Sequence, residues 1–249
     1  MSNIEDALYA DPRLVGIYDL LNSGDSDFKF YLERLGKDNR RVLDLGCGTG
    51  TFALRLAAIG HTVVAVDPSP MMVNYAKHRP GSDSIEWIVG DALSPRIRKP
   101  FEVAMMTGHA FQCLLGDNEM RATLRAVHAA LGAGGRFMFE TRNPTVQPWT
   151  TWNPECSARS IQSEHYGPVD VFHQCNAVAE PLVEFETHYV FRRDNTRLLS
   201  RSKLRFMSAG ELATELNAAG FGDIEWFGDW TGTPFHETSS AEIIAICHA

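Results

Sequence analysis

The 249-residue chain has no closely spaced cysteine pair, no excess of basic residues and no long apolar run. Each shortage removes a class of protein. The five cysteines, Cys47, Cys113, Cys156, Cys175 and Cys247, are odd in number and scattered. That argues against a zinc ribbon or a disulfide framework and for free thiols in a reducing compartment. Acids outnumber bases, 31 to 23, for a net charge of −8. General nucleic-acid binding needs a basic face, so nucleic acid is not the expected partner, although a local basic pocket stays open. No run of about 18 apolar residues occurs, so no membrane span is expected. Met1-Ser-Asn-Ile-Glu-Asp6 has neither a basic n-region nor an apolar h-region, so no secretory signal is expected and the cytosol is the expected place. No cluster has metal-ligand spacing, so no metal is expected.

What is present is ordinary for a globular protein: 44% hydrophobic and 22% charged residues. The length suits one α/β domain with an elaboration. Leu14, Ile17, Tyr18 and Leu21 recur at helical spacing before Asn22-Ser23-Gly24, and Phe28, Tyr31, Leu32 and Leu35 do so before Gly36. The texture then alternates. Strands are predicted at 41–45, 62–66, 85–89, 101–106 and 136–140, with helices at 52–59, 70–78 and 119–131; Gly132 to Gly135 reads as the last helix's stop. Such alternation implies a parallel sheet with right-handed crossovers. After Pro144 it breaks. Residues 145–168 read as a long irregular connection, and 170–207 switch to period two, an antiparallel signature. Ser208 with Glu211 reads as a capping box opening a helix that ends at Gly220. Residues 224–227 and 243–246 read as closing strands.

The strongest motif is Val42-Leu-Asp-Leu-Gly-Cys-Gly-Thr-Gly50. A buried strand runs into three glycines and then a helix, so backbone can turn tightly and lie against a ligand. A dinucleotide fingerprint would be G-x-G-x-x-G; here the third glycine comes one residue early. Asp44, two residues before the first glycine, would repel a diphosphate and attract a ligand carrying an ammonium and a sulfonium. Asp67 ends the second strand, where a carboxylate accepts both hydroxyls of a ribose; a helix N-cap is the alternative. Asp91, after the third strand, has the position to accept an adenine amino group, or to serve a turn. Ligands of open α/β sheets bind at these strand ends.

On Leu43-Asp-Leu-Gly-Cys-Gly-Thr-Gly50, Asp67-x-Ser69-x-x-Met72 and Gly90-Asp91-Ala92, the chain resembles a class I S-adenosylmethionine-dependent methyltransferase of the small-molecule type. The likeness spans about residues 40–140. It implies a Rossmann-like, seven-stranded, mostly parallel sheet with its last strand antiparallel and helices on both faces. It implies S-adenosyl-L-methionine as cofactor. The main chain of Gly46, Cys47 and Gly48 would approach its methionine part, and Asp44 its amino group. Asp67 would bind ribose, Pro68 and Met72 would pack on adenine, and Asp91 and Ala92 would meet it too. Thr107 and Gly108, at the end of the fourth strand, would line the methyl-transfer centre. Tyr18 resembles the tyrosine that closes over the cofactor in related enzymes; a core aromatic is the other reading. Thr107-Gly-His-Ala110 stands where amino methyltransferases of nucleic acid often carry Asp-Pro-Pro-Tyr, which points to a small-molecule substrate.

Four regions follow: an N-terminal helical cap (1–39), the cofactor-binding α/β core (40–144), an irregular loop with an inserted antiparallel β lid (145–207), and a C-terminal helix with closing strands (208–249). His109 is the candidate base, with a histidine bonded to nearby main chain as the alternative. His165 and Tyr166 are second choices, and Trp149 and Trp152 candidate pocket walls. Glu140-Thr-Arg-Asn-Pro144 carries both charge signs, suited either to an acidic or amino substrate or to a local ion pair. In the lid, Asp194 and Asn195 read as a two-residue turn, which sets Glu184 opposite Arg205, Glu186 opposite Lys203 and Phe185 opposite Leu204. The expected activity is methyl transfer to nitrogen or oxygen of a small molecule. A catalytically silent S-adenosylmethionine-binding protein and a nicotinamide-dependent oxidoreductase are the alternatives.

Overall fold

The computed structural model describes residues 6–97 and 100–249. Residues 1–5, where the expected cap begins and no signal is expected, lie outside the described residues. Short α1 (Ala7–Ala10) leads into α2 (Pro12–Leu21), whose first turn is capped by the Asp11 carboxylate accepting from the N–H groups of Arg13 and Leu14. Then come α3 (Ser26–Leu35), β1 (Arg41–Leu45), α4 (Thr51–Ala58), β2 (Thr62–Asp67), α5 (Pro70–Lys77), β3 (Glu86–Val89) and β4 (Phe101–Met106). The core continues through α6 (Asp117–Ala130) and β5 (Leu131–Arg142). After α7 (Pro154–Ser157) the chain builds β6 (Arg159–Ser163), β7 (Gly167–Ala179), β8 (Leu182–Phe191) and β9 (Thr196–Arg205). It closes with α8 (Ala209–Ala219), β10 (Gly222–Phe227) and β11 (Glu242–His248).

Two sheets result. The seven-stranded sheet has the order β10-β11-β5-β4-β1-β2-β3. Its β1–β5 strands run parallel, and β11 runs antiparallel to both neighbours. Period-two alternation explains the three layers. Leu43, Leu45, Ala104 and Met106 face α6 and α8; Val42, Val103 and Met105 face α3, α4 and α5. Both faces are covered, so the strands are apolar throughout. The order reverses between β1 and β4, which leaves a crevice at their carboxyl ends.

The second sheet, β6-β7-β8-β9, is wholly antiparallel. Its inner face, with Val171, Tyr189 and Phe191, packs on Leu14 and Ile17 of α2. Further along, Val183 and Leu204 pack with Trp149 and Phe206. The N-terminal helices therefore lie between lid and core, since α1 and α2 also contact α5.

Three expectations need correcting. The glycines 132–135 do not end a helix before the strand; β5 already begins at Leu131. Phe101 pairs with Leu131 and Val103 with Arg136, so the glycines form a bulge inside the strand. A Cβ on Gly135 would meet the Gly132 carbonyl at 2.9 Å. Residues 145–168 are not irregular throughout, because Arg159–Ser163 pairs with β7; with Ile161 its lone apolar residue, β6 carries almost no alternation signal. The β8–β9 register is two residues off. Glu184 faces Lys203, Glu186 faces Arg201 and Phe185 faces Ser202, around the four-residue loop Arg192 to Asn195. Only Asn195 of the expected pair takes a positive φ, 55°. A two-residue shift keeps every side chain on its face, so the apolar and charged faces stand as expected.

Candidate active site

The glycine loop is tied to the next strand. Gly46 and Cys47 donate N–H bonds to the Val66 carbonyl at 2.8 and 3.1 Å. Gly46, at φ 72°, packs so close to the turn after β4 that an added Cβ would meet the Ala110 Cβ at 2.7 Å. Tyr18 leans over the loop: a Cβ on Gly48 would lie 3.8 Å from its ring. Asp19, one residue on, accepts from the Thr49 hydroxyl and pairs with Arg79 at 3.1 Å.

Asp44 is buried beneath this loop, and neither carboxylate oxygen has a hydrogen-bond partner. Burial first, and repulsion from Asp67 second, pushes its pKa up to about 7. A buried carboxyl without donors is costly unless a ligand supplies them. Asp67 is buried too, and burial raises its pKa. Its Oδ2 accepts from Gly48 N–H and its Oδ1 from Ser69 N–H, both at 2.8 Å. The capping of α5 falls to Ser69, whose hydroxyl accepts from Met72 N–H. Each Asp67 oxygen keeps a lone pair for a hydroxyl donor. Asp91 is exposed, with Oδ1 accepting from Leu93 N–H at 2.8 Å. Ala92 is half-buried, Pro68 exposed and Met72 sealed.

On the other side of the crevice, Thr107 is buried, and Gly108 and His109 take left-handed φ values of 67° and 61°. That backbone is unfavourable for histidine. Glu140 holds it: Oε1 accepts from His109 N–H at 2.7 Å, and Oε2 from the Tyr31 hydroxyl. Glu140 is fully buried, and burial pushes its pKa up to about 8. The His109 ring meets Glu242 of β11, with Nε2 to Oε2 at 2.9 Å. Burial and the Arg142 charge lower the His109 pKa against the pull of Glu242. With Glu242 as acceptor, the ring carries its proton on Nε2 and leaves the Nδ1 lone pair available. Arg142 donates from Nη1 to Gln112 Oε1 at 2.9 Å, and its guanidinium lies 5.8 Å from the Trp152 ring centre.

The structure thus gathers Tyr18, Asp44, Gly46, Cys47, Gly48 and Asp67 on one side of the crevice, and Thr107, Gly108, His109 and Arg142 on the other. His165 and Tyr166 go elsewhere: they gather with Arg13 and Arg193 beside the β8–β9 loop. Trp149 packs on Phe206, and Trp152 on Phe185. Glu242, Gln112 and Tyr31 are site residues that sequence reasoning missed. Glu242 had one signal, an acid just ahead of the last apolar run. The Glu140–Arg142 segment forms no local ion pair among the described residues; Glu140 is taken by Tyr31 and His109. No group of three or more potential metal ligands is found among the described residues, and none of their helices is long and apolar enough to cross a membrane.

A seven-stranded, mostly parallel sheet with an antiparallel strand near one edge and a crevice at its switch point is a Rossmann-like core, here with an orphaned acid on β1 and a second acid on β2. Residues 42–135 match the family model described as a methyltransferase domain. Over those residues the chain is similar to S-adenosylmethionine-dependent methyltransferases. It is 29% identical over 145 residues to the cypemycin N-terminal methyltransferase of a Streptomyces species, covering 57% of this chain and 59% of that one. It is 28% identical over 160 residues to the glycine N-methyltransferase of Oryctolagus cuniculus, covering 54% of each. The chain thus spans little more than half the length of these curated relatives. The CcbJ methyltransferase of Streptomyces caelestis shares the fold, with a TM-score of 0.80 and 22% identity over 97% of both chains.

S-adenosylmethionine carries an ammonium, a ribose and an adenine. The crevice offers a donorless carboxyl for the first and an acceptor-rich Asp67 for the second, so the residues present fit the cofactor.

Proposed function

We propose that this chain transfers a methyl group from S-adenosylmethionine to the nitrogen of a small-molecule amine. The observation that carries the reading is Asp44, whose two buried oxygens lack any donor beside the glycine loop. The bound cofactor supplies a methyl already activated on sulfonium, so the protein's work is positioning, water exclusion and proton removal. Asp44 holds the ammonium. Asp67 accepts the ribose hydroxyls while keeping Gly48 in place, and Asp91 meets the adenine edge. Tyr18 covers the loop and keeps water out. His109, neutral and oriented by Glu242, takes the acceptor's proton at Nδ1.

Nitrogen is favoured over oxygen because an amine arrives protonated, and a neutral imidazole backed by a carboxylate suits that deprotonation. Relatives are named both as N-methyltransferases and as O-methyltransferases, so the choice of nitrogen rests on the imidazole and its carboxylate. The test is calorimetry with S-adenosylhomocysteine, followed by a methyl-transfer screen over amines, phenols and carboxylates. We expect binding, and turnover on amines. Binding without any turnover would favour a silent cofactor-binding protein, and displacement of the ligand by a nicotinamide dinucleotide would favour an oxidoreductase.

A further inference from the structure

The N-terminal helices are joined to the lid by apolar packing and to the core by polar ties. Leu14 and Ile17 of α2 pack with Val171, Tyr189 and Phe191 of the lid. Among the described residues, none from α1 or α2 joins either apolar cluster of the core. Hydrogen bonds reinforce the lid side. Arg13 pairs with Asp194 at 2.8 Å, Arg159 Nη2 donates to the Leu21 carbonyl at 3.0 Å, and Asp6 accepts from the Ser202 hydroxyl. The helices and the lid therefore form one unit.

On the core side, α2 meets the glycine loop through Asp19. Its Oδ1 accepts from the hydroxyl of Thr49, which is buried, and its Oδ2 lies 3.1 Å from Arg79 Nη1. The same Arg79 nitrogen donates to the Thr49 carbonyl at 2.9 Å and to the Thr51 hydroxyl at 2.7 Å. One carboxylate thus joins α2, the glycine loop, the first turn of α4 and the residue just past α5. A hydroxyl bonded to a carboxylate is among the stronger hydrogen bonds, and the start of α4 favours negative charge. The contact is also in step with the cofactor site. Tyr18 leans over Gly48, and the next residue on each strand of contact, Asp19 and Thr49, are bonded to each other.

We propose that Asp19 is a positioning residue for cofactor retention: its grip on Thr49 and Arg79 latches the lid-borne α2 onto the glycine loop and holds the Tyr18 ring over the site. This rests on the reading of the crevice as an S-adenosylmethionine site. Cofactor exchange then requires the latch to open, a local event that leaves the sheet intact.

The test follows labelled S-adenosylhomocysteine leaving the full chain during a chase with unlabelled ligand, alongside amide hydrogen exchange of the ligand-free chain. Asp19→Ala and Thr49→Val should each release the ligand about tenfold faster. Exchange should quicken in α1 and α2 while β1, β4 and β5 keep their protection. Thr49→Ser, which retains the hydroxyl, should behave as wild type. The double variant Asp19→Ala/Thr49→Val should be little worse than Asp19→Ala, because both act on one contact. Wild-type release from Thr49→Val, equal loss in Thr49→Ser, or faster exchange throughout the sheet would overturn the latch. Thr49→Val, a change of nearly constant volume, decides alone if Asp19→Ala fails to fold. Absence of S-adenosylhomocysteine binding by the wild type would instead overturn the cofactor reading.

Discussion

The two walls of the crevice are built differently. Along β1, β2 and β3 each feature is local. Asp44 stands two residues from Gly46, and Asp67 reaches back to Gly48 across 19 positions of a single strand-helix-strand unit. Along β4, β5 and β11 the partners come from distant parts of the chain. His109 meets Glu242 across 133 positions, Tyr31 meets Glu140 across 109, and Gln112 meets Arg205 across 93. The first wall is a motif; the second is a product of tertiary packing. A family can therefore keep the cofactor side while the acceptor side is rebuilt from the lid, the N-terminal helices and the last strand.

Breaking the acceptor wall should produce the largest effect on turnover and none on cofactor affinity. His109→Gln removes the proposed base, a role worth about 10²–10⁴-fold in rate. We expect kcat to fall at least about 10²-fold with S-adenosylhomocysteine affinity unchanged; undiminished turnover would end the assignment. Because burial holds the His109 pKa below its ordinary value, the rising limb of the wild-type rate profile should lie below about pH 6.5. Glu242→Gln should move that limb while costing less rate.

Breaking the cofactor wall should do the reverse. Asp67→Ala deletes the acceptor of two backbone N–H groups and of the ribose hydroxyls. Charge-assisted hydrogen bonds contribute about 1.5–3 kcal/mol each, so affinity should fall about 10²-fold by calorimetry. Wild-type affinity in Asp67→Ala would show that the ribose lies elsewhere.

A third, smaller effect is set by pH. The Asp44 pKa is raised to about 7, so the carboxyl is increasingly protonated below that value when the site is empty. The cofactor's ammonium favours the ionised form, and its binding must therefore expel a proton at low pH. Affinity should weaken by up to about tenfold per unit as pH falls below 7. Asp44→Asn should bind weakly at every pH and remove most of that slope. A wild-type slope surviving in Asp44→Asn would place the titration on another group.

This division also explains which parts were legible in the sequence. Strand and helix alternation, the glycine loop and the three strand-end acids all lie within short windows, and the core elements fall close to where periodicity put them. Ser208 and Glu211 form the expected capping box. The misses share a cause. Arg159–Ser163 is a strand only because β7 pairs with it. The glycines before Arg136 enter β5 because β4 tolerates a bulge there. Glu242 becomes a site residue only when antiparallel pairing sets it opposite Arg142. The role of Asp67 was half visible: its place at the strand end was clear, but its hold on Gly48 N–H needed the fold.

The lid offers the smallest test, and it concerns register. Glu184 pairs with Lys203, and Glu186 with Arg201 at 3.0 Å. The two-residue-turn register would instead have set Glu184 opposite Arg205, but Arg205 is engaged with Asp117 and the Leu115 carbonyl. Both registers match apolar with apolar faces, so burial alone does not choose between them. The choice falls to the four-residue loop, where Asn195 supplies the left-handed residue and Asp194 is held by Arg13 of α2. Glu184→Lys places like charges opposite each other and should cost about 0.2–1 kcal/mol. For a chain of this length that lowers Tm by roughly 1–3 °C at low salt, and less at high salt, where exposed charges are screened. Adding Lys203→Glu should restore the lost stability, because the swapped pair is again opposite in sign. Rescue by Arg205→Glu in place of Lys203→Glu would show the shifted register instead. No rescue by either would mean that side-chain entropy already cancels the pair's attraction on this exposed face.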